Sequence, residues 1–479
     1  MAQESSKIIK NTTYFTGAMI FQKVLSFIYF WYISNNLFSD HLGKYVWALS
    51  FTTIFSILID LGLSQVLTRE ASKNKEEANR YLKNILGIKI PLAILALVLV
   101  WVIVALTKED YLVRLLVYLA SAIMVFDSFT LSFYAIFRAR QNLRFESIGA
   151  VIFQIINFSL GFAFLKITGD VKFLIVALIS ASLFNLLFSI VLLKIKLGYS
   201  LKPVWHNKTV KYLLKIVPSF ALAGIFIKLY NTTDAVILGY LTDDSAVGFY
   251  SIPAKAVFAL QNIIPGAFAA IIFPAFSSYY VTSKVLLRKA FERAVFYLAV
   301  ISLPISFGLL ALVEEVLQVL WPSYVDVALS FKIMGLAMPF VFISFATGSL
   351  LNACDRQRNA TINRGIITGF SIVVNIILIP YLSYLGAAIA FLSTNVLLFI
   401  LDWIWANKIT DFNKKYLLSI LFKSLLASVI MFVLIYFLKT SFSLFFLVIL
   451  GVIIYFICLY ILRVFSFKEI KTFKNSFLK

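Results

Sequence analysis

Six side chains able to bind an anion or carry a proton fall inside long apolar runs: Lys23, Lys228, Lys255, Asp60, Asp127 and Asp234. An ionisable group in such a run costs several kcal/mol if the run lies in lipid, so each is a candidate site residue by default. Lys23 lies about 12 residues, or ~18 Å, from either end of the stretch 11–35 if that stretch is helical. Its side chain reaches roughly 6 Å, too short to snorkel comfortably out of a ~15 Å half-bilayer. Lys228 is placed similarly in 213–241. Both must face protein or water. Each either pairs with a carboxylate (Lys23 with Asp60, Lys228 with Asp234) or lines a wet lumen. Positions 228 and 234 point roughly 240° apart around a helix, which disfavours their direct pairing.

Lys255 lies only ~12 Å inside its stretch. It either snorkels outward or, on a helix bent by Pro253 and Pro265, lines the lumen. Asp127 falls near mid-membrane as a protonatable group or a packing partner. Asp402 and Lys332 lie near helix ends and read as interfacial. Gln22, Ser26, Asn231 and Thr232 would complete a polar wall beside the lysines. The pairs Arg138/Arg140 and Arg356/Arg358 either anchor the topology or catch a phosphate at a cytoplasmic mouth. Other chemistry is scarce. His41 and His206 are the only histidines, and Cys354 and Cys458 lie far apart in different apolar segments. Metal clusters and histidine triads are thereby set aside, and no Gly-rich phosphate loop with Lys-Ser/Thr is visible. No cofactor is expected.

The elements that must hold these residues are membrane helices. The chain has 479 residues, 61% hydrophobic and 14% charged, with 48 Phe and 23 Tyr, whereas soluble domains run about 45–50% apolar and about 25% charged. A soluble enzyme is excluded. Runs of about 20 apolar residues fall near 11–35, 43–68, 85–106, 112–137, 147–167, 172–195, 213–241, 247–275, 290–313, 328–353, 362–381, 385–407, 416–438 and 442–465. The fold class is an all-α polytopic membrane protein of fourteen helices.

The net charge of +21 follows this map. One set of alternate connections, with the termini and helix-end flanks, carries 33 Lys/Arg against 9 Asp/Glu; the other carries 6 against 9. The positive-inside rule then places both termini in the cytoplasm. The charge is a topology and headgroup feature, and no nucleic-acid partner is expected. No cleavable signal peptide is visible.

The halves also repeat. A shift of 205 residues lays Gly43 on Gly248, Tyr45 on Tyr250 and Lys23 on Lys228. A shift of 218 lays Arg138 on Arg356, Arg140 on Arg358 and Asn157 on Asn375. The expected organisation is a six-helix half over 1–197, a cytoplasmic linker at 198–212, and a second half over 213–407. Two extra helices at 416–465 and a basic tail at 466–479 follow.

The stretches LGKYVWALSFTTIFSILIDLGLSQVLTRE (42–70), Asp234 to Lys255 with VGFYSIPAK, and NIILIPYLSYLGAAIA (375–390) resemble the Wzx-type oligosaccharide flippases. These belong to the MATE-like MOP superfamily. The resemblance implies two pseudo-symmetric six-helix halves, with transport of undecaprenyl-diphosphate-linked oligosaccharide to the outer leaflet of a bacterial cytoplasmic membrane, for polysaccharide or O-antigen biosynthesis. Its implied partners are that lipid-linked oligosaccharide, membrane lipids, a polysaccharide polymerase and glycosyltransferases. Two related readings stay open, a peptidoglycan-precursor flippase and a MATE-like drug or cation exporter. A membrane glycosyltransferase or polymerase fits poorly, because the outer loops are short and the acids scattered. Lys23, Lys228 and Lys255 would supply counter-charge to a diphosphate that cannot cross hydrocarbon unshielded.

Overall fold

The computed structural model describes residues 2–464, which form sixteen α-helices and one 3-10 turn, with no strand among the described residues. In chain order the helices are α1 (Ala2–Asn36), α2 (Ser39–Asp60), α3 (Leu63–Lys73), α4 (Ala78–Thr107), α5 (Tyr111–Ala139), α6 (Arg144–Thr168), α7 (Lys172–Leu197) and α8 (Asn207–Leu241). They continue as α9 (Asp244–Thr282), α10 (Lys284–Leu320), α11 (Ala328–Leu336), α12 (Met338–Ala353), α13 (Gln357–Leu382), α14 (Tyr384–Ile409), α15 (Lys414–Leu438) and α16 (Leu444–Ile461). Among the described residues, 13 helical segments are long and apolar enough to cross a membrane. The first expected stretch lies in α1. The basic tail at 466–479 lies outside the described residues.

Local chemistry sets the ends. Asp110 caps α5, its carboxylate accepting from the Leu112 N–H at 2.7 Å, and Asn413 caps α15 through the Tyr416 N–H at 3.0 Å. Gly169 and Gly198 close α6 and α7 in the left-handed region. Two expected helices are interrupted. The 43–68 stretch breaks at Leu61 and Gly62, both with positive φ (40° and 78°), so the chain turns before the amphipathic α3 begins. The 328–353 stretch divides at Ala337, just before Pro339, whose ring clashes with a continuing helix.

The chain forms two compact units. The first comprises residues up to Ser251 together with Thr368–Tyr384. Its core joins α3, α4, α5, α7 and α8 through Val66, Leu82, Phe133, Leu193 and Leu213, among others. At one end, Lys44 bridges Asp40 (2.9 Å) and Asp110 (2.8 Å). There too Lys108 donates to the Gly239 carbonyl and stands 4.5 Å over the Trp47 ring. At the other end, buried Glu70 pairs with Lys73 (2.8 Å) and accepts from the Tyr212 hydroxyl (2.7 Å). The connection before α8 is strapped to α4 there, Val204 N–H donating to the Lys83 carbonyl at 3.1 Å. Alternate connections therefore gather at opposite ends, as a chain crossing back and forth requires.

Gly43 and Gly248 meet across the starts of α2 and α9. A Cβ on Gly43 would lie 1.6 Å from the Asp244 carbonyl oxygen, and one on Gly248 would lie 2.0 Å from that of Ser39. The contact is reciprocal in the 205-residue register, Ser39 standing to Gly43 as Asp244 stands to Gly248. A local two-fold relation produces this pattern.

The second unit comprises Ile252–Ile367 and the chain from Leu385 onward. Here α10 packs against α12, α15 and α16. Phe296 and Val300 of α10 meet Met431, Ile435 and Tyr455 of the last two helices, and the Tyr455 hydroxyl donates to the Val300 carbonyl at 2.8 Å. The extra helices thus seat on α10, leaving Phe437 and Phe445 exposed for lipid. Asp402 is not interfacial, as its position near the helix end suggested. It is buried and accepts from the Asn363 side chain at 2.7 Å, because α13 covers that face of α14. Lys332 pairs with Glu314 at 2.6 Å.

Candidate functional site

Three helices of the first unit converge on a cavity of about 260 Å³. From α2 come Thr52, Thr53 and Ser56; from α5, Asp127 and Ser128; and from α8, Lys228. Leu49, Ala120, Ile123, Met124 and Leu131 complete an apolar remainder. The polar residues of α2 lie one helical turn apart, so they present one wet face inward. The Lys228 ammonium donates to the Ser56 hydroxyl at 2.9 Å, a neutral acceptor that leaves its remaining hydrogens for other partners. Asp127 is open to the cavity and accepts from Ser182 of α7.

Asp60 sits behind this wall at the last turn of α2. Its ion pair is with Lys89 of α4 at 2.5 Å, not with the Lys23 weighed from the sequence. The Lys89 ammonium has no solvent exposure. It also donates to the Ser64 hydroxyl (3.2 Å) and the Ser128 carbonyl (2.7 Å), so its three hydrogens all find acceptors. Ser64 donates to Asp60 at 2.5 Å and touches Ser132 at 3.1 Å. This network ties the Leu61–Gly62 break to α4 and α5. Lys89 lies near the start of the apolar stretch 85–106, where it reads as a basic helix-end flank rather than a charge at depth. The available signal was the unpaired-looking Asp60, since a carboxylate at depth demands a partner.

Asp234 belongs to a different, neutral-partner node. It accepts from the Tyr250 hydroxyl (2.9 Å), the Asn375 amide (2.8 Å) and the Ser371 hydroxyl (3.4 Å), and not from Lys228. The repeat places Tyr29, Tyr45 and Asn157 at the equivalent positions in the first half, all buried. The structure therefore brings together Lys228, Asp60 and Asp127, adds Lys89, and sets Asp234 apart. Lys23 stands exposed on α1, and Lys255 stands exposed on α9 within the second unit.

Of the four arginines, Arg138 forms a bidentate pair with Glu146, its Nε donating at 2.8 Å. Arg140 donates to the Tyr199 hydroxyl at 2.9 Å and faces its ring. Arg356 and Arg358 are exposed. Outside the spanning segments, burial alone would raise the Glu70 pKa, but the hydrogen bonds from Lys73 and Tyr212 outweigh it and hold the carboxyl below the usual range. The Lys44 ammonium hydrogen-bonded to Asp110 lowers that carboxyl likewise.

The first unit thus holds a small cavity, partly polar, among helices long and apolar enough to cross a membrane. The chain belongs to the polysaccharide biosynthesis protein family, whose pattern matches residues 8–280. It is 24% identical over 329 residues to an uncharacterized membrane protein of Methanocaldococcus jannaschii, covering 66% of this chain and 64% of that one. It is 29% identical over 166 residues to the probable flippase AglR of Haloferax volcanii, covering 34% of each. The chain thus spans less than two thirds of these relatives. In fold it is similar to the lipid II flippase MurJ in an inward closed conformation, with a TM-score of 0.79 and 15% identity over 93% of this chain and 98% of that one.

Proposed function

We propose that this protein is a flippase that carries polyprenyl-diphosphate-linked oligosaccharide from the cytoplasmic to the outer leaflet by alternating access. The observation that carries the reading is the Lys228 ammonium, held by neutral Ser56 at the wall of a polar cavity between helices that otherwise cross the membrane. Membership of the polysaccharide biosynthesis family and the partial likeness to a probable flippase support it. A diphosphate needs counter-charge to leave water. Lys228 supplies it here, Lys23 of the same unit adds to it, and Thr52, Thr53 and Ser56 solvate what the ammonium does not; Lys255, in the second unit, is a separate candidate phosphate contact. The polyprenyl tail stays in lipid. Moving two negative charges outward is downhill in an inside-negative potential and releases about 4.6 kcal/mol per 100 mV, so the step needs no ion gradient.

Both termini face the cytoplasm of a cytoplasmic membrane, as the basic connections direct. Arg356 and Arg358 stand ready at that side for the incoming phosphate, whereas Arg138 is already engaged with Glu146. Glycosyltransferases and a polymerase act before and after the flip. The fold likeness to MurJ favours a second reading in which the cargo is the peptidoglycan precursor. Leaflet-accessibility assays with each lipid-linked cargo in proteoliposomes separate them. Transport of a polysaccharide repeat unit but not of the precursor supports the first reading; the reverse selectivity replaces it with the second, and transport of neither overturns both.

A further inference from the structure

We propose that Lys89 is a positioning residue for the anion site: by cancelling the charge of Asp60, it keeps Lys228 on neutral Ser56 and available to a diphosphate. This rests on the reading of Lys228 as a diphosphate ligand. Ser56 and Asp60 lie one turn apart on the same face of α2, so a lysine held at Ser56 sits about one turn, some 5–6 Å, from the Asp60 position. A carboxylate without a partner at that place would draw the ammonium off Ser56 and repel an incoming anion. Lys89 prevents both. Its three hydrogens are spent on Asp60, Ser64 and the Ser128 carbonyl, so it has none to offer a ligand. It has no exposure to the cavity, and its role is therefore indirect.

The pairing is also asymmetric. Under the 205-residue shift, Asp60 falls on Pro265 and Lys89 on Ala294, so the second half lacks the device at those positions. A pair needed only to hold the shared fold would be expected in both halves. Once Asp60 is cancelled, Lys228 faces one carboxylate, Asp127, rather than two.

The test measures binding of farnesyl diphosphate, a short prenyl diphosphate without sugar, to the purified full chain in nanodiscs. Wild type is compared with Lys228→Gln, Lys89→Gln, Asp60→Asn and the Lys89→Gln/Asp60→Asn double variant. A unit charge one turn away in a partly wet site shifts affinity about tenfold. Lys89→Gln is expected to raise Kd about tenfold at unchanged stoichiometry per folded molecule. The double variant is expected to return within about threefold of wild type, and Asp60→Asn to bind more tightly than the double variant. A purely structural pair would lower the folded fraction and leave Kd unchanged, which would overturn the proposal. If Lys89→Gln yields no folded protein, the other two decide: equal Kd for Asp60→Asn and the double variant overturns it. A wild-type Kd for Lys228→Gln instead defeats the reading of the site itself.

Discussion

At the scale of single residues, the membrane's cost for charge explains which side chains meet. Lys89 and Asp60 are buried together because neither tolerates hydrocarbon alone. Removing one partner of such a pair costs about 3–5 kcal/mol, while replacing both with neutral groups is often harmless. Lys228, Asp127 and Asp60 were legible in the sequence as charges in apolar runs. Their partners were not, because pairing depends on which helix faces lie together. Asp234 shows the same limit: its donors come from Tyr250, near in sequence, and Ser371 and Asn375, far away. Glu70 gives a pH-dependent prediction. Its folded pKa is lowered, so its contribution is present above the unfolded value near 4.3 and lost as pH falls through the lower folded value. Thermal melts should show Glu70→Gln less stable than wild type by about 1–2 kcal/mol at pH 7, with the gap closing at acidic pH. A gap that does not narrow as the pH is lowered from 7 into the acidic range would contradict this assignment.

At the scale of elements, hydropathy located the helices but missed their interruptions. The Leu61–Gly62 break lies inside an apolar run and rests on backbone conformation, which periodicity does not report. The glycine register was more informative. Gly43 and Gly248 repeat at 205 residues because two helix starts touch there with no room for a Cβ. Gly43→Ala and Gly248→Ala should each destabilise the protein by about 1–3 kcal/mol. Once one substitution has parted the helices, the second should add less than its own cost. Melting of both single variants and the double variant in detergent checks this; full additivity would mean that the two sites do not share one contact. The last two helices pack on α10 through Tyr455 and Met431. Their placement required the three-dimensional core, since both read as uniformly apolar.

At the scale of the whole molecule, the alternation of basic and acidic connections predicts the sidedness that the proposed function requires. With Cys354 and Cys458 replaced by serine, a cysteine at Asp243 should react with a membrane-impermeant reagent in intact cells, and one at Lys208 only after lysis. Labelling of 208 in intact cells would invert the map. The central claim is that lysine charge carries a diphosphate across. The most direct measurement is outward translocation of a polyprenyl-diphosphate-linked oligosaccharide in proteoliposomes, comparing wild type with Lys23→Gln, Lys228→Gln and the double variant at equal protein level. The account predicts loss in each single variant, a deeper loss in the double, and partial transport when arginine replaces either lysine. Wild-type rates from the double glutamine variant would contradict it.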